Sequence, residues 1–142
     1  MSLELKYPSF GVRVRNGNSK TEIFDDIRKK WFVLTPEEWV RQHVLNYLIT
    51  VKKYPSSLIS VEKEITLNDL KKRFDIVVYK KNLSPFLIIE CKAPFIELDI
   101  STLEQAQRYN LILKADYLMI TNGINDFVFD SNNKVVDFPE YF

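Results

Sequence analysis

The chain reads as a mixed α/β domain, and three observations carry that reading. A helix start is spelled out at residues 35–38. Three strand signals then follow one another across residues 57–92, joined by short polar turns. A second helix start near Ser101 leads into an apolar strand at residues 116–121. The order is helix, three strands, helix, strand (α-β-β-β-α-β). Short turns make the three strands an antiparallel meander, and the last strand returns beside the third by a crossover. The expected product is a mixed central sheet flanked by helices, with a β-hairpin before it.

Each element has its own reason. In residues 9–25, Val12 and Val14 alternate with Arg13 and Arg15. Asn16-Gly17-Asn18 follows, then Thr21-Glu22-Ile23-Phe24, a hairpin signature. Residues 25–34 connect it to the core, with strand-like Trp31-Phe32-Val33. Thr35 is a helix N-cap, Pro36 sits at the first helical position, and Glu38 has capping-box spacing. Trp39, Val40, His43, Val44, Tyr47, Leu48 and Val51 make one buried stripe. Glu38, Gln42, Leu45 and Ile49 make a second, so the helix packs between layers or close against a sheet. It stops near Lys53, because Pro55 disfavours helix at Tyr54.

Residues 57–66 alternate as a strand, and Asn68-Asp69 turns the chain. Residues 73–80 form a strand with Phe74, Ile76 and Val78 on one face and Asp75, Val77 and Tyr79 on the other. Residues 82–85 turn, residues 86–92 form the third strand, and Pro94 ends it. The second helix starts at Ser101, with Glu104 at capping-box spacing, and runs to about Lys114. Asn122-Gly123 turns the buried strand 116–121 into an edge strand at residues 125–130. The aromatic tail, residues 137–142, is expected to pack on the body. The whole reads as one domain, 1–142, divided into hairpin and connector (1–34), core (35–130) and tail (131–142).

Composition narrows the function. The 142 residues suffice for one core, and a single cysteine supplies no disulfide framework and fits a reducing compartment. The N-terminus has no signal-peptide core, and no apolar run approaches the ~18 residues that cross a bilayer. The expected location is the cytoplasm. A formal net charge of +1 argues against tight sequence-independent DNA binding by this domain alone. It does not exclude nucleic acid, since acidic metal ligands cancel basic residues. The basic clusters 28–30, 52–53, 71–73 and 80–81 read as solvated element ends. One histidine on an apolar stripe and one cysteine give no zinc cluster.

The chemistry concentrates in residues 73–94. The apolar run Phe86-Leu87-Ile88-Ile89 ends in Glu90-Cys91-Lys92, and charges placed there need partners or a ligand. Alternation puts Ile88, Glu90 and Lys92 on one face and Leu87, Ile89 and Cys91 on the other, where Cys91 is a small core residue. If the two strands pair, Asp75 and Glu90 converge. Two carboxylates, with the backbone carbonyl of Cys91 as a third oxygen, can hold Mg²⁺ with its waters and a phosphate. Mn²⁺ is the alternative ion. Lys92, one step beyond, can orient an attacking water and offset transition-state charge.

Asp75 followed by Glu90-Cys91-Lys92 resembles the PD-(D/E)XK nuclease superfamily, with Phe74 where its proline would stand. The chain is more closely similar to the N-terminal nuclease-domain family of type I restriction enzyme R subunits. The likeness lies in residues 35–42 (TPEEWVRQ), 72–79 (KRFDIVVY), 88–94 (IIECKAP) and 105–110 (QAQRYN). It implies a restriction-endonuclease-like core and Mg²⁺-dependent cleavage of DNA. It also implies an early-helix acid at Glu38, with Glu37 as the alternative, and a Gln105/Tyr109 pair that touches DNA or buttresses Lys92. Separate restriction-system subunits are expected partners, and a homodimer would supply two sites for two strands.

Plainer roles stand beside these. Glu38 can be half of a capping box, Asp75 can pair with Arg73 or a lysine, and Glu90 and Lys92 can be a surface ion pair. Gln105 and Tyr109 can be ordinary helix-face residues, and His43 a structural one. With three glycines there is no Gly-x-x-x-x-Gly-Lys loop, so an ATP-driven motor is not encoded in these residues. Two other functions remain in view. One is a non-catalytic DNA-binding or assembly module on the same fold. The other is an interaction domain using Trp31 and the aromatic tail.

Overall fold

The computed structural model describes residues 4–141. The N-terminal part forms a small antiparallel sheet of β1 (Val14–Asn16), β2 (Thr21–Asp25) and β3 (Lys30–Val33). The expected hairpin is present, and the strand-like 31–33 segment is a true third strand, with Phe24 opposite Trp31 and Ile23 opposite Phe32. Helix α1 (Pro36–Asn46) starts as the sequence dictates: Thr35 Oγ accepts the Glu38 N–H at 3.0 Å. The helix widens into a π-helical turn over Tyr47–Val51 and is finished before Pro55.

The remaining strands are β4 (Ile59–Leu67), β5 (Leu70–Tyr79) and β6 (Pro85–Cys91). Helix α2 (Ile100–Leu113) follows, then β7 (Tyr117–Thr121), β8 (Asp126–Asp130) and the short β9 (Val135–Val136). They make one six-stranded sheet in chain order, antiparallel throughout except where β7 returns parallel to β6. The mixed sheet and the crossover through α2 match expectation. Strand β9, two residues long, was too brief to announce itself by periodicity. Helix α2 begins earlier than expected. Asp99, not Ser101, caps it, because the Asp99 carboxylate takes both the N–H and the hydroxyl of Thr102 at 2.9 Å. The turn after β7 needs Gly123, whose φ is +85°.

Two apolar clusters lie on the two sides of the sheet. Val40, Val44 and Leu48 of α1 pack with Ile76, Val78, Leu87, Ile89, Cys91 and Met119. Leu113, Ala106 and Tyr109 of α2 pack with Phe74, Val77, Ile88 and Leu118. Strand β6 thus alternates as expected. Strand β5 does not: Phe74 faces α2 whereas Ile76 and Val78 face α1. The ladder to β4 is regular at Val61↔Ile76 and at Lys63↔Phe74, but Glu62 between them takes a left-handed φ of 57°. At that break Asp75 and Ile76 both face α1. The tail packs as expected over its described residues: Phe138 and Tyr141 lie on the α1-side cluster, and Tyr141 donates to the Tyr79 carbonyl at 3.0 Å. Phe142 lies outside the described residues.

Candidate active site

Strands β5 and β6 keep a regular register as far as Ile76↔Ile89. One step further, side chains replace the ladder. Asp75 Oδ2 accepts the Cys91 N–H at 2.8 Å, and Glu90 Oε1 accepts the Asp75 N–H at 3.3 Å. The two predicted carboxylates therefore meet at the fork where the strands part.

Asp75 belongs to a buried chain of charges on the α1 side. Arg41 Nη2 and Nε donate to Asp75 Oδ1 at 2.5 and 3.2 Å. Arg41 Nη1 donates to Glu38 at 2.6 Å, and Nη2 also reaches Glu62 at 2.7 Å. Glu38 receives Arg28 on both oxygens at 3.1 Å, and Gln42. Arg28 and Gln42 in turn meet the fully buried Asp25 at 2.7 and 2.9 Å. Such burial is tolerable because each ion is bonded to several partners. Burial alone would lower the Arg41 pKa, but the charges of Asp75 and Glu38 outweigh it and hold the guanidinium charged.

Glu37 and Glu38 thus separate. Glu38 is turned inward and saturated. Glu37 is half-exposed, 3.5 Å from Arg41. Burial and then the Asp75 charge raise its pKa, opposed by Arg41 and Lys92. Glu37 therefore lies in the field of both Asp75 and Lys92. Asp75 pairs with neither Arg73 nor a lysine among the described residues; its cation is Arg41.

Glu90 opens toward α2. It lines a small pocket of about 60 Å³ with Lys72, Lys92, Thr102, Gln105 and Tyr109. Its cation is Lys72, at 3.3 Å. Burial, then the neighbouring Asp75 charge, push the Glu90 carboxyl up to about 7, against the pull of Lys72. Lys92 is anchored by its N–H to the Thr121 carbonyl at 2.7 Å, and its ammonium has no ion pair among the described residues. Tyr109 meets Phe74 edge-on, with the Lys72 ammonium 5.3 Å from the Tyr109 ring centre. Gln105 stands exposed at the rim. Cys91 is buried, and burial pushes its thiol pKa up, so only its backbone can serve the site. His43 is structural: Nδ1 lies 2.8 Å from the Trp39 carbonyl, and Phe10 packs on the ring.

The donors at the fork are all oxygens, and Glu90 carries charge that its surroundings compensate poorly. Both features suit a hard divalent ion. Against this, Arg41 already holds Asp75 Oδ1, and no cluster of three His, Cys, Asp or Glu side chains is preassembled among the described residues. An ion at Asp75 therefore competes with Arg41. Arg41 and Lys72 are the members that sequence reasoning missed. Arg41 stands three residues after Glu38, the spacing of a same-face pair. Lys72 was hidden in a basic run.

Fork and pocket together define a class: a mixed α/β domain with two interlocked carboxylates and a lysine at the end of its central strands. The family follows from the sequence. Over residues 36–141 the chain matches the family described as type I restriction enzyme R protein N terminus, and it belongs to that family. That membership places it with restriction systems acting on DNA. No curated protein matches the chain. Among the described residues, no helix is long and apolar enough to cross a membrane.

Proposed function

We propose that this domain is a metal-dependent DNA endonuclease module of PD-(D/E)XK type, built on a restriction-endonuclease-like core. The observation that carries the reading is the fork, where the Asp75 and Glu90 carboxylates each bond the other strand's backbone. Lys92 lies one alternation beyond Glu90, in the same pocket. Asp75, Glu90 and the Cys91 carbonyl would hold Mg²⁺ or Mn²⁺, which supplies Lewis acidity toward a phosphodiester. Lys92 orients the attacking water and offsets charge on the phosphate oxygens. The water oxygen bonds to phosphorus and its proton passes to solvent, while the P–O bond to one sugar oxygen breaks and that oxygen takes a proton from solvent. Glu37, rather than the saturated Glu38, is the helix acid within reach of the field at the site. Gln105 and Tyr109 flank the pocket, where they support Lys92 or meet the DNA backbone. Cutting both strands takes two such sites, which two copies of the chain supply.

The test is plasmid cleavage with Mg²⁺ or Mn²⁺ by wild type, Asp75→Ala and Lys92→Ala. The expected loss is about 10²-fold or more in either variant, the scale of removing one transition-state contact. Equal rates in all three proteins would remove these residues from the mechanism. One observation favours a second reading, a DNA-binding or assembly module without cleavage: the Arg41 guanidinium already sits on Asp75. DNA binding with no cleavage under either metal would decide for it.

A further inference from the structure

We propose that the groove between β3 and the β4–β5 hairpin is a docking track for the backbone of duplex DNA. The inference rests on the DNA-directed function proposed above. The groove has a volume of about 610 Å³, and four cations line it: Arg28, Lys30, Arg41 and Arg73. Its two carboxylates are already engaged. Glu38 lies between Arg28 and Arg41, and Glu62 between Arg41 at 2.7 Å and Arg73 at 4.0 Å. Neither is left to oppose Lys30, which is exposed and has no ion pair among the described residues. Arg28 and Arg41 are answered by Asp25, Asp75 and the two glutamates, so the charge that meets an incoming polyanion is that of the exposed Lys30 and Arg73.

Geometry joins this charge to the candidate site. Arg41 lines the groove and bonds Asp75, so the track opens onto the fork. The Arg28 guanidinium lies 3.4 Å from the Phe32 ring centre, a stack that fixes its plane. The outer face of the same small sheet repeats the device, with Arg13 over Phe24 at 3.9 Å and Arg15 over Trp31 at 4.3 Å. Residues 13–33 hold six Lys and Arg against three Asp and Glu, in a chain whose formal net charge is +1. The excess charge is thus gathered here. Planar guanidiniums match phosphate oxygens in a way that a lone ammonium does not. Repeated phosphates leading to a phosphodiester site make the DNA backbone the fitting occupant rather than an acidic peptide. Strand β3 precedes residue 36, where the family match begins, so this wall of the track is not part of the matched region.

The experiment is fluorescence anisotropy on a short labelled DNA duplex in EDTA, across a salt series. It compares wild type, Lys30→Glu/Arg73→Glu, Lys30→Gln/Arg73→Gln, and a control, Lys81→Glu/Lys134→Glu, with the same charge change in the β5–β6 and β8–β9 turns. The groove reversal is expected to weaken binding about tenfold or more and to cut the salt slope by about 2, with the neutral pair intermediate. The control is expected to shift binding less than about threefold. Equal effects of reversal and control, no duplex binding by wild type, or equal competition by an acidic peptide each overturn the track. Metal-dependent plasmid cleavage with unaltered binding in the groove variants sinks the track and leaves the nuclease reading. Binding lost in the groove variants, with no cleavage by wild type, keeps the track and sinks the nuclease reading.

Discussion

The two sides of the β5–β6 fork use the same residue types to opposite ends. On the α1 side, every carboxylate oxygen of Glu38 and Asp75 has a donor, and Arg41 is shared among four acids, Glu37, Glu38, Glu62 and Asp75. On the α2 side, Glu90 has one lysine at 3.3 Å, a raised pKa, and an ammonium at Lys92 without an ion pair among the described residues. The lesson is about saturation. A buried charge whose bonding capacity is filled locks helix to sheet, whereas one left partly unfilled is available to a ligand.

The strongest way to break this contrast is at Arg41. Arg41→Met leaves Asp75 and Glu38 buried without their cation, and is expected to destabilise the fold by about 3–5 kcal/mol, read from denaturant midpoints. A loss under ~1 kcal/mol would mean that the α1-side network is not structural.

Glu90 tests the other side with the reverse sign. Its carboxyl holds a proton up to about 7 when folded, against an ordinary 4.5. Between those values the folded state carries the extra proton, so this group makes stability fall as pH rises through the interval, with the full cost present above about 7. Glu90→Gln is therefore expected to stabilise by on the order of 2 kcal/mol near pH 8, with the gain gone near pH 4. Thermal melts at both pH values check it. A gain independent of pH would remove Glu90 as the unsatisfied charge.

Two smaller effects sharpen the comparison. Thr35→Ala removes the cap that sets where α1 begins, and with it the footing of Glu38 and Arg41. About 1 kcal/mol should be lost, with the pH response of Glu90 unchanged. Glu37→Gln is expected to fall within about 0.5 kcal/mol of wild type, because its side chain is half-exposed and 3.5 Å from its cation. A large loss there would move Glu37 into the structural network, away from the site.

Much of the fork was legible before any coordinates. Asp75, Glu90 and Lys92 stood out because charges that close an apolar strand need a reason, and β6 alternates as a regular strand should. The cap at Thr35 and the turns at Asn16-Gly17 and Asn122-Gly123 were readable from residues within a few positions of one another, and the crossover between β6 and β7 from the order of the elements. The faces of β5 were not. Strict alternation put Phe74 with Ile76, and they part opposite the left-handed Glu62 of the neighbouring strand, a conformation that residue type does not announce. The cap of α2 was misread by two residues because Asp99 and Ser101 are equally good cap formers by composition.

The sequence by itself determined the elements other than β9, their order, the buried side of β6 and which two acids and lysine gather at the end of β5 and β6. Tertiary structure alone decided who answers each charge: Arg41 for Asp75, Lys72 for Glu90, and Glu38 rather than Glu37 in the buried network. Helix caps, turns and alternation depend on backbone groups a few residues apart, so they are written locally. An ion pair between residues 41 and 75 depends on the angle at which α1 crosses the sheet, and that angle is set by the packing of the whole core.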